Sequence, residues 1–369
     1  MRKTNFLSIA ILFTLSFTNC CAEQLSLKRY LYMSVPDASQ RGKFEPGVVV
    51  FDIDNGHQFV KHISVPGFMA EGIRGLRGFE GSLANKAAYY SGNKGLLGKL
   101  DLITEKVVWE KRFELGIDRA SVSQDGKKIY APTGWWHRED DGGMLVIDEA
   151  TQTVLKRIKA GGSAHNSFVS LDSKYVFVAG WGWLNQYTTD DETLVQSVIG
   201  DEIGDNGVYP YVVDSTNEIA YVSHHDHVGY DMVDLKAGKL LYTMSEVENG
   251  SAIARRTHGA GLTPDESEVW ISDQKGKRLI IYDNTVFPPQ KKLALQLSRG
   301  GHGWVTFSND GKYAWCHTED VFDVKTKQRI ATLQDDKGNP VFGSKFFEAH
   351  FRGKELVFVS SQFGLGMKK

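Results

Sequence analysis

Cysteine is nearly absent, with three in 369 residues. Cys20 and Cys21 close an N-terminal segment that opens Met1-Arg2-Lys3 and passes through the apolar stretch Phe6–Phe17. A positive start, a short apolar core and a small residue at Ala22 describe a secretory signal peptide, residues 1–22. Phe17-Thr18-Asn19 departs from a lipobox, so the expectation is a periplasmic or secreted protein rather than a lipoprotein. The remaining chain, 23–369, holds one thiol, Cys316, which excludes an internal disulfide and any CxxCH haem-attachment motif. Long apolar runs are also missing. The Phe6–Phe17 stretch is too short to span a bilayer comfortably, and no other stretch could be transmembrane. Nor is there an excess of one charge: 43 basic against 45 acidic side chains give −2, which argues against electrostatic capture of nucleic acid or an anionic membrane. No linker or low-complexity tract divides the chain, so 23–369 reads as one domain. Nothing fixes an oligomeric state.

What the chain does contain is a repeat. A turn aspartate recurs in SQDG (Asp125), SLDS (Asp172), TPDE (Asp265) and SNDG (Asp310), with Asn217 standing in at STNE. A second aspartate ends a β-branched or aromatic run at Asp52, Asp101, Asp148, Asp234, Asp283 and Asp323. Each run is bounded by turn residues, a strand signature. Four strands per roughly 40–50 residues predict an all-β fold, a β-propeller of four-stranded antiparallel blades. Six complete units run from about Gly72 to Leu333. RYLYMSV, GVVVFDID and FVKHISV at the N-terminus supply three further strands, and FFEAHFRG at the C-terminus supplies a first strand. Together they make a seventh blade that closes the ring. ELVFVSS is then one strand too many; it could replace the N-terminal strand, extend that blade or start an eighth.

IAYVSHHDHVGYDMVD and SEVWISDQKGKRLIIYD resemble the YVTN-type propeller repeat. The resemblance covers nearly all of 23–369 and implies a seven-bladed propeller. It leaves function open, because that family spans surface-layer proteins and lactonase-like enzymes.

In a propeller the first strand of each blade lines the axis, so residues that begin it share one face with the loops between second and third strands. Loops on one face of a rigid ring are where binding residues usually sit. The starts of the first strands carry Arg74, Asp118 with Arg119, His165, Tyr209, His258, His302 and His350. The loops add Trp135, Trp136 and His137, then Trp181 and Trp183, His224, His225 and His227, Asp273, and His317 with Glu319. Of the 11 histidines, all but His57 and His62 fall at these two places. A histidine ahead of a tight strand can simply cap backbone groups, and SHHDH can be a solvated loop. Four at matching repeat positions is a pattern the fold does not require.

Two chemistries fit. Neutral imidazoles at His165, His258, His302 and His350, with His224, His225 or His227 completing the shell, suit a transition metal, copper first; Asp273 or Glu319 could orient the rings. Carboxylates suited to calcium or magnesium are scarce there. The arrangement is similar to the copper propeller of nitrous oxide reductase, without its second copper domain. The other chemistry is acid–base work on a small organic anion, held by Arg74 and Arg119 beside Tyr209 and stacked on tryptophans such as Trp135 and Trp181. Three functions follow: an exported metalloprotein, an oxidoreductase among them; a lyase or lactonase-like enzyme; or a non-enzymatic binding or surface scaffold.

Overall fold

The computed structural model describes residues 26–35, 45–65, 67–68, 76–92, 94–134, 142–199, 209–223, 227–246, 257–300, 303–343 and 345–361. Its strands form seven sheets, six of four strands and one of five, all antiparallel between neighbours. Blade 1 covers Leu76–Arg112, blade 2 Ser121–Lys159, blade 3 Asn166–Ile199, blade 4 Tyr209–Ser245, blade 5 Thr257–Gln296 and blade 6 Val305–Thr332. Blade 7 joins the two chain ends: Phe346–Arg352 pairs with Leu27–Val35, which pairs with Gly47–Asp52 and then Gln58–Ser64.

Both recurring aspartates have local work. The turn aspartates accept from a side-chain hydroxyl and a backbone amide two residues on: Asp125 from Ser123 and Lys127, Asp172 from Ser170 and Lys174, Asp310 from Ser308 and Lys312. This is an Asx/ST turn, in which a short polar side chain replaces a backbone partner. The aspartates that end third strands cap the next turn, as Asp101 does for Ile103 and Thr104, and Asp323 for Thr326. Their identity is set by orphan amides, which is why they repeat.

Burial follows distance from the axis. Second and third strands are buried almost throughout, as in Glu268–Asp273 and Gly143–Asp148, while fourth strands such as Lys239–Ser245 are largely exposed. The core lies between blades. Trp270, Phe307 and Phe322 share one cluster across blades 5 and 6, and Phe79, Tyr90 and Phe347 another across blades 1 and 7. A single blade could not cover both its faces, so stacking supplies the core. The surplus strand is placed too: Glu355–Val359 pairs with Phe346–Arg352 on its axial side, as a fifth strand of blade 7. It takes this edge because a two-residue turn at Gly353-Lys354 folds the chain straight back. Among the described residues no helix is long and apolar enough to cross a membrane.

Candidate functional site

The inner strands of blades 2 and 3 are zipped together at their upper ends. Arg119 bridges Asn166 in parallel; its amide donates to the His165 carbonyl, and the Ser167 amide donates to the Arg119 carbonyl. This backbone contact sets Asp118 beside His165. The His165 Nδ1 lies 3.0 Å from Asp118 Oδ2. Arg77, at the start of blade 1, reaches the same carboxylate through Nε at 3.2 Å and Nη2 at 3.3 Å. On the other side Arg119 lays its guanidinium over the Trp304 ring, 3.3 Å from the centroid, a cation–π contact. His258 completes the group, its ring centroid 6.3 Å from that of His165 and 5.6 Å from that of Trp304. Blades 5 and 6 come this close because Gly259, at φ +136°, has no side chain: a Cβ there would sit 2.1 Å from the Gly303 carbonyl oxygen. Asp118, Arg119, His165, His258 and Trp304 are all buried.

The electrostatics are one-sided. Burial alone would raise the Asp118 carboxyl, but Arg77, His165 and Arg119 together outweigh it and hold it below the usual carboxylate range. His165 is lowered, with burial first; the pull of Asp118 upward does not compensate, and Arg77 and Arg119 push further down. An ionised carboxylate facing Nδ1 fixes the tautomer: the proton is on Nδ1, and Nε2 carries the lone pair. The cluster therefore holds an imidazole whose Nε2 can accept a proton or bind a metal, beside two guanidiniums and one carboxylate.

Several expected residues stand elsewhere. His350 is corrected: it is the fifth of seven residues in its strand, opposite Arg29, far from the upper end. Its Nε2 lies 2.6 Å from Glu348 Oε1 and its ring packs on Phe358. Blade 7 lacks the Ser-x-Asp turn, so its inner strand runs on and carries His350 down. Asp273 and Glu319 are corrected as ring-orienting carboxylates: Asp273 pairs with Arg278 and caps Gly276, and Glu319 takes the two nitrogens of Arg299 at 2.6 and 2.8 Å. Trp183 covers the blade, donating to the Gly162 carbonyl, whereas Trp181 is 43% exposed on the same turn. His227 is half-buried, and its carbonyl ties the loop to Thr257. His317 is buried in the upper loop of blade 6. Tyr209 begins the inner strand of blade 4; its side chain, like Arg74, Trp135, Trp136, His137, His224, His225 and His302, lies outside the described residues. Among the described residues no three His, Cys, Asp or Glu side chains are grouped to hold a metal ion.

Arg77 and Trp304 were not legible as site residues, although a signal existed. Counting back five residues from the residue that opens each lower turn (Ser82, Ser123, Ser170, Asp214, Thr263) gives Arg77, Asp118, His165, Tyr209 and His258. Counting back four gives Arg119 from Ser123 and Trp304 from Ser308. His302 falls six back, one step out of that register.

Fold and site together define a seven-bladed β-propeller with a buried, polar cluster at one end of its axis. No protein-family model matches the chain, and no curated protein matches it in sequence. Solved structures similar in fold include Kuenenia stuttgartiensis hydrazine synthase, at 17% identity and TM-score 0.57 over 78% of this chain and 95% of that one. The β-propeller domain of Cps50 (Swd1) from Myceliophteria thermophila is similar at 10% identity and TM-score 0.57, over 76% and 94%. The dihydro-heme d1 dehydrogenase NirN in complex with DHE is similar at 15% identity and TM-score 0.57, over 88% and 75%. At such identities the likeness is one of fold, and it is shared with enzymes as well as with a domain not named for one.

Proposed function

We propose that the protein is an exported propeller, akin to the YVTN type, that binds a small organic anion at the upper end of its axis, with His165 as proton acceptor. The observation that carries this reading is the Arg77–Asp118–His165 chain lying beside Arg119 on Trp304. Two guanidiniums meet there, and a carboxylate ligand is what planar guanidinium groups recognise best. Asp118 keeps the Nδ1 proton in place, so Nε2 faces chemistry as a base, the arrangement general-base catalysis needs. The test is thermal denaturation of purified protein with lactate, malonate and succinate in turn. A bound carboxylate at 100 times its Kd adds about 2.7 kcal/mol of stability, and Arg119→Leu removes the gain. If none of the panel raises the melting temperature, or the variant responds as the parent does, the reading fails. Export is tested by mass spectrometry of secreted material, which should begin near Glu23.

The same Asp118–His165 pair favours a second reading, since a carboxylate on the far ring nitrogen is how metal-ligating imidazoles are commonly oriented. In it His165 and His258 hold a transition ion, copper first, with His302 and the loop histidines His224, His225 and His227 as further donors. Neutral imidazole is a ligand such ions favour. Elemental analysis of untagged protein, compared with a His165→Ala/His258→Ala variant, separates the two: near-stoichiometric copper or zinc lost in the variant selects the metal.

A further inference from the structure

Blades 7 and 1 do not close on each other everywhere. On the lower side they leave an open slot of about 420 Å³, within the range of small-molecule sites. One wall is aromatic: Tyr30, Tyr32 and Phe351, with Tyr32 stacked on Phe347 at 5.5 Å and 3°, and Tyr30 edge-on to Phe351 at 5.9 Å. The opposite wall is Leu102 and Ile103 from blade 1. At the rim Val60 is 41% and Ile103 42% exposed. Lys61 and Glu105 form an ion pair across the blade gap, and Lys354 adds a second lysine to the lining.

The feature that points to a ligand is the Tyr32 hydroxyl. Tyr32 is 2% exposed, and among the described residues its hydroxyl makes no hydrogen bond. The oxygen itself is not sealed from solvent, so its partner comes from whatever fills the slot. Tyr32 lines the slot together with Glu105 and Tyr30. Burial first, then Glu105 and Tyr30, raises its ionisation well above the usual phenol range. The group is thus a neutral donor in want of an acceptor. Stacking on Phe347 holds the ring rigid, so little entropy is lost when a partner arrives.

We infer that this slot is a second binding site, for an uncharged, flat aromatic molecule carrying a carbonyl or ether oxygen that accepts from Tyr32. The aromatic and aliphatic walls suit an apolar ring, and a charged ligand would lose solvation against them. The site is independent of the axial cluster and does not rest on the function proposed for it. The probe is Prodan, an uncharged naphthyl ketone whose emission shifts to the red when its carbonyl accepts a hydrogen bond. The parent protein should bind it saturably and one to one. Tyr32→Phe keeps the ring and removes the donor: affinity should fall about 5-fold, the worth of one net hydrogen bond, and the red shift should disappear. Val60→Trp, at an exposed rim position, should fill the slot and abolish binding; Ile103→Trp is the second variant should the first not fold. Arg119→Leu should bind as the parent does. Equal affinity and emission in Tyr32→Phe, or undiminished binding in the slot-filling variant, would overturn the inference.

Discussion

His57 should make this protein lose stability in mild acid. It sits in the turn after the single-turn 3₁₀ helix Ile53–Asn55 of blade 7, at φ 60°, pressed against blade 6. The Trp315 Nε1 donates to its Nε2 at 3.0 Å, so Nε2 is an acceptor and the ring is neutral with its proton on Nδ1. Its face meets Tyr313 edge-on at 4.9 Å, and the residue is 3% exposed. Burial, then the field of Arg29, lowers the ring from 6.5 to about 4, with Asp54 opposing weakly. The sign follows from linkage: the unfolded chain takes up its proton near pH 6.5 and the folded one only near 4, so acid favours unfolding between those values. About 2.5 units at 1.36 kcal/mol each is roughly 3 kcal/mol, present above pH 6.5 and lost as pH falls to 4. The variant is His57→Asn, which tolerates a left-handed backbone. Its lost contacts change stability equally at every pH, so only the slope is diagnostic. His165 is lowered as well and adds to the slope of both proteins, which removes it from the difference. Aspartates begin to matter only nearer their own range below pH 4. Urea midpoints at half-unit steps from pH 7 to 4.5 should therefore converge by about 2–3 kcal/mol between parent and variant. A difference that stays constant within about 0.5 kcal/mol would refute the argument.

Two further outcomes are expected. Glu348 is wholly buried and holds blade 7 to blade 6, accepting from the Asn309 amide at 2.7 Å and pairing with His350 at 2.6 Å, with Arg29 Nη1 at 4.0 Å. Glu348→Ala strands those partners and should cost about 3–5 kcal/mol, which for a chain of 369 residues lowers the melting temperature by roughly 4–6 °C. The axial trio should behave oppositely when removed together: Asp118→Leu alone costs about 3–5 kcal/mol, whereas Arg77→Met/Asp118→Leu/His165→Phe should be neutral or gain about 1–4 kcal/mol in thermal denaturation, while losing any carboxylate response.

The ring was legible because its markers are local. Asp125, Asp172, Asp265 and Asp310 answer amides two residues away, and Asp101 or Asp323 answers the turn that follows. Such demands are met within a few residues, so they leave a period that can be counted. Placing side chains at the axis is a different problem, because a one-residue error in a strand turns a group from one blade interface to the other. His165 and His258 have rings 6.3 Å apart, and each stands five residues ahead of a turn Ser or Thr. His350 was misplaced because blade 7 has no such turn to count from. Trp304 was passed over in favour of His302, two residues before it. Arg77 was hidden behind Arg74 for the same reason.

The fold itself does not ask for these axial side chains. The inner strands are already joined there by backbone bonds, Arg119 amide to His165 carbonyl and Ser167 amide to Arg119 carbonyl, and blade 6 has Gly303 where blades 2, 3 and 5 have Asp118, His165 and His258. A glycine at one of these equivalent positions means that the ring closes without a polar group. Burying a carboxylate, two guanidiniums and two imidazoles there costs desolvation that their mutual attraction repays only in part. Asp118 is already satisfied by Arg77 and His165, yet Arg119 is brought in beside them and laid on Trp304. Titratable groups buried at that cost, where the fold does not require them, mark a candidate functional site, and the Arg77–Asp118–His165 chain is the one on which the proposed function rests.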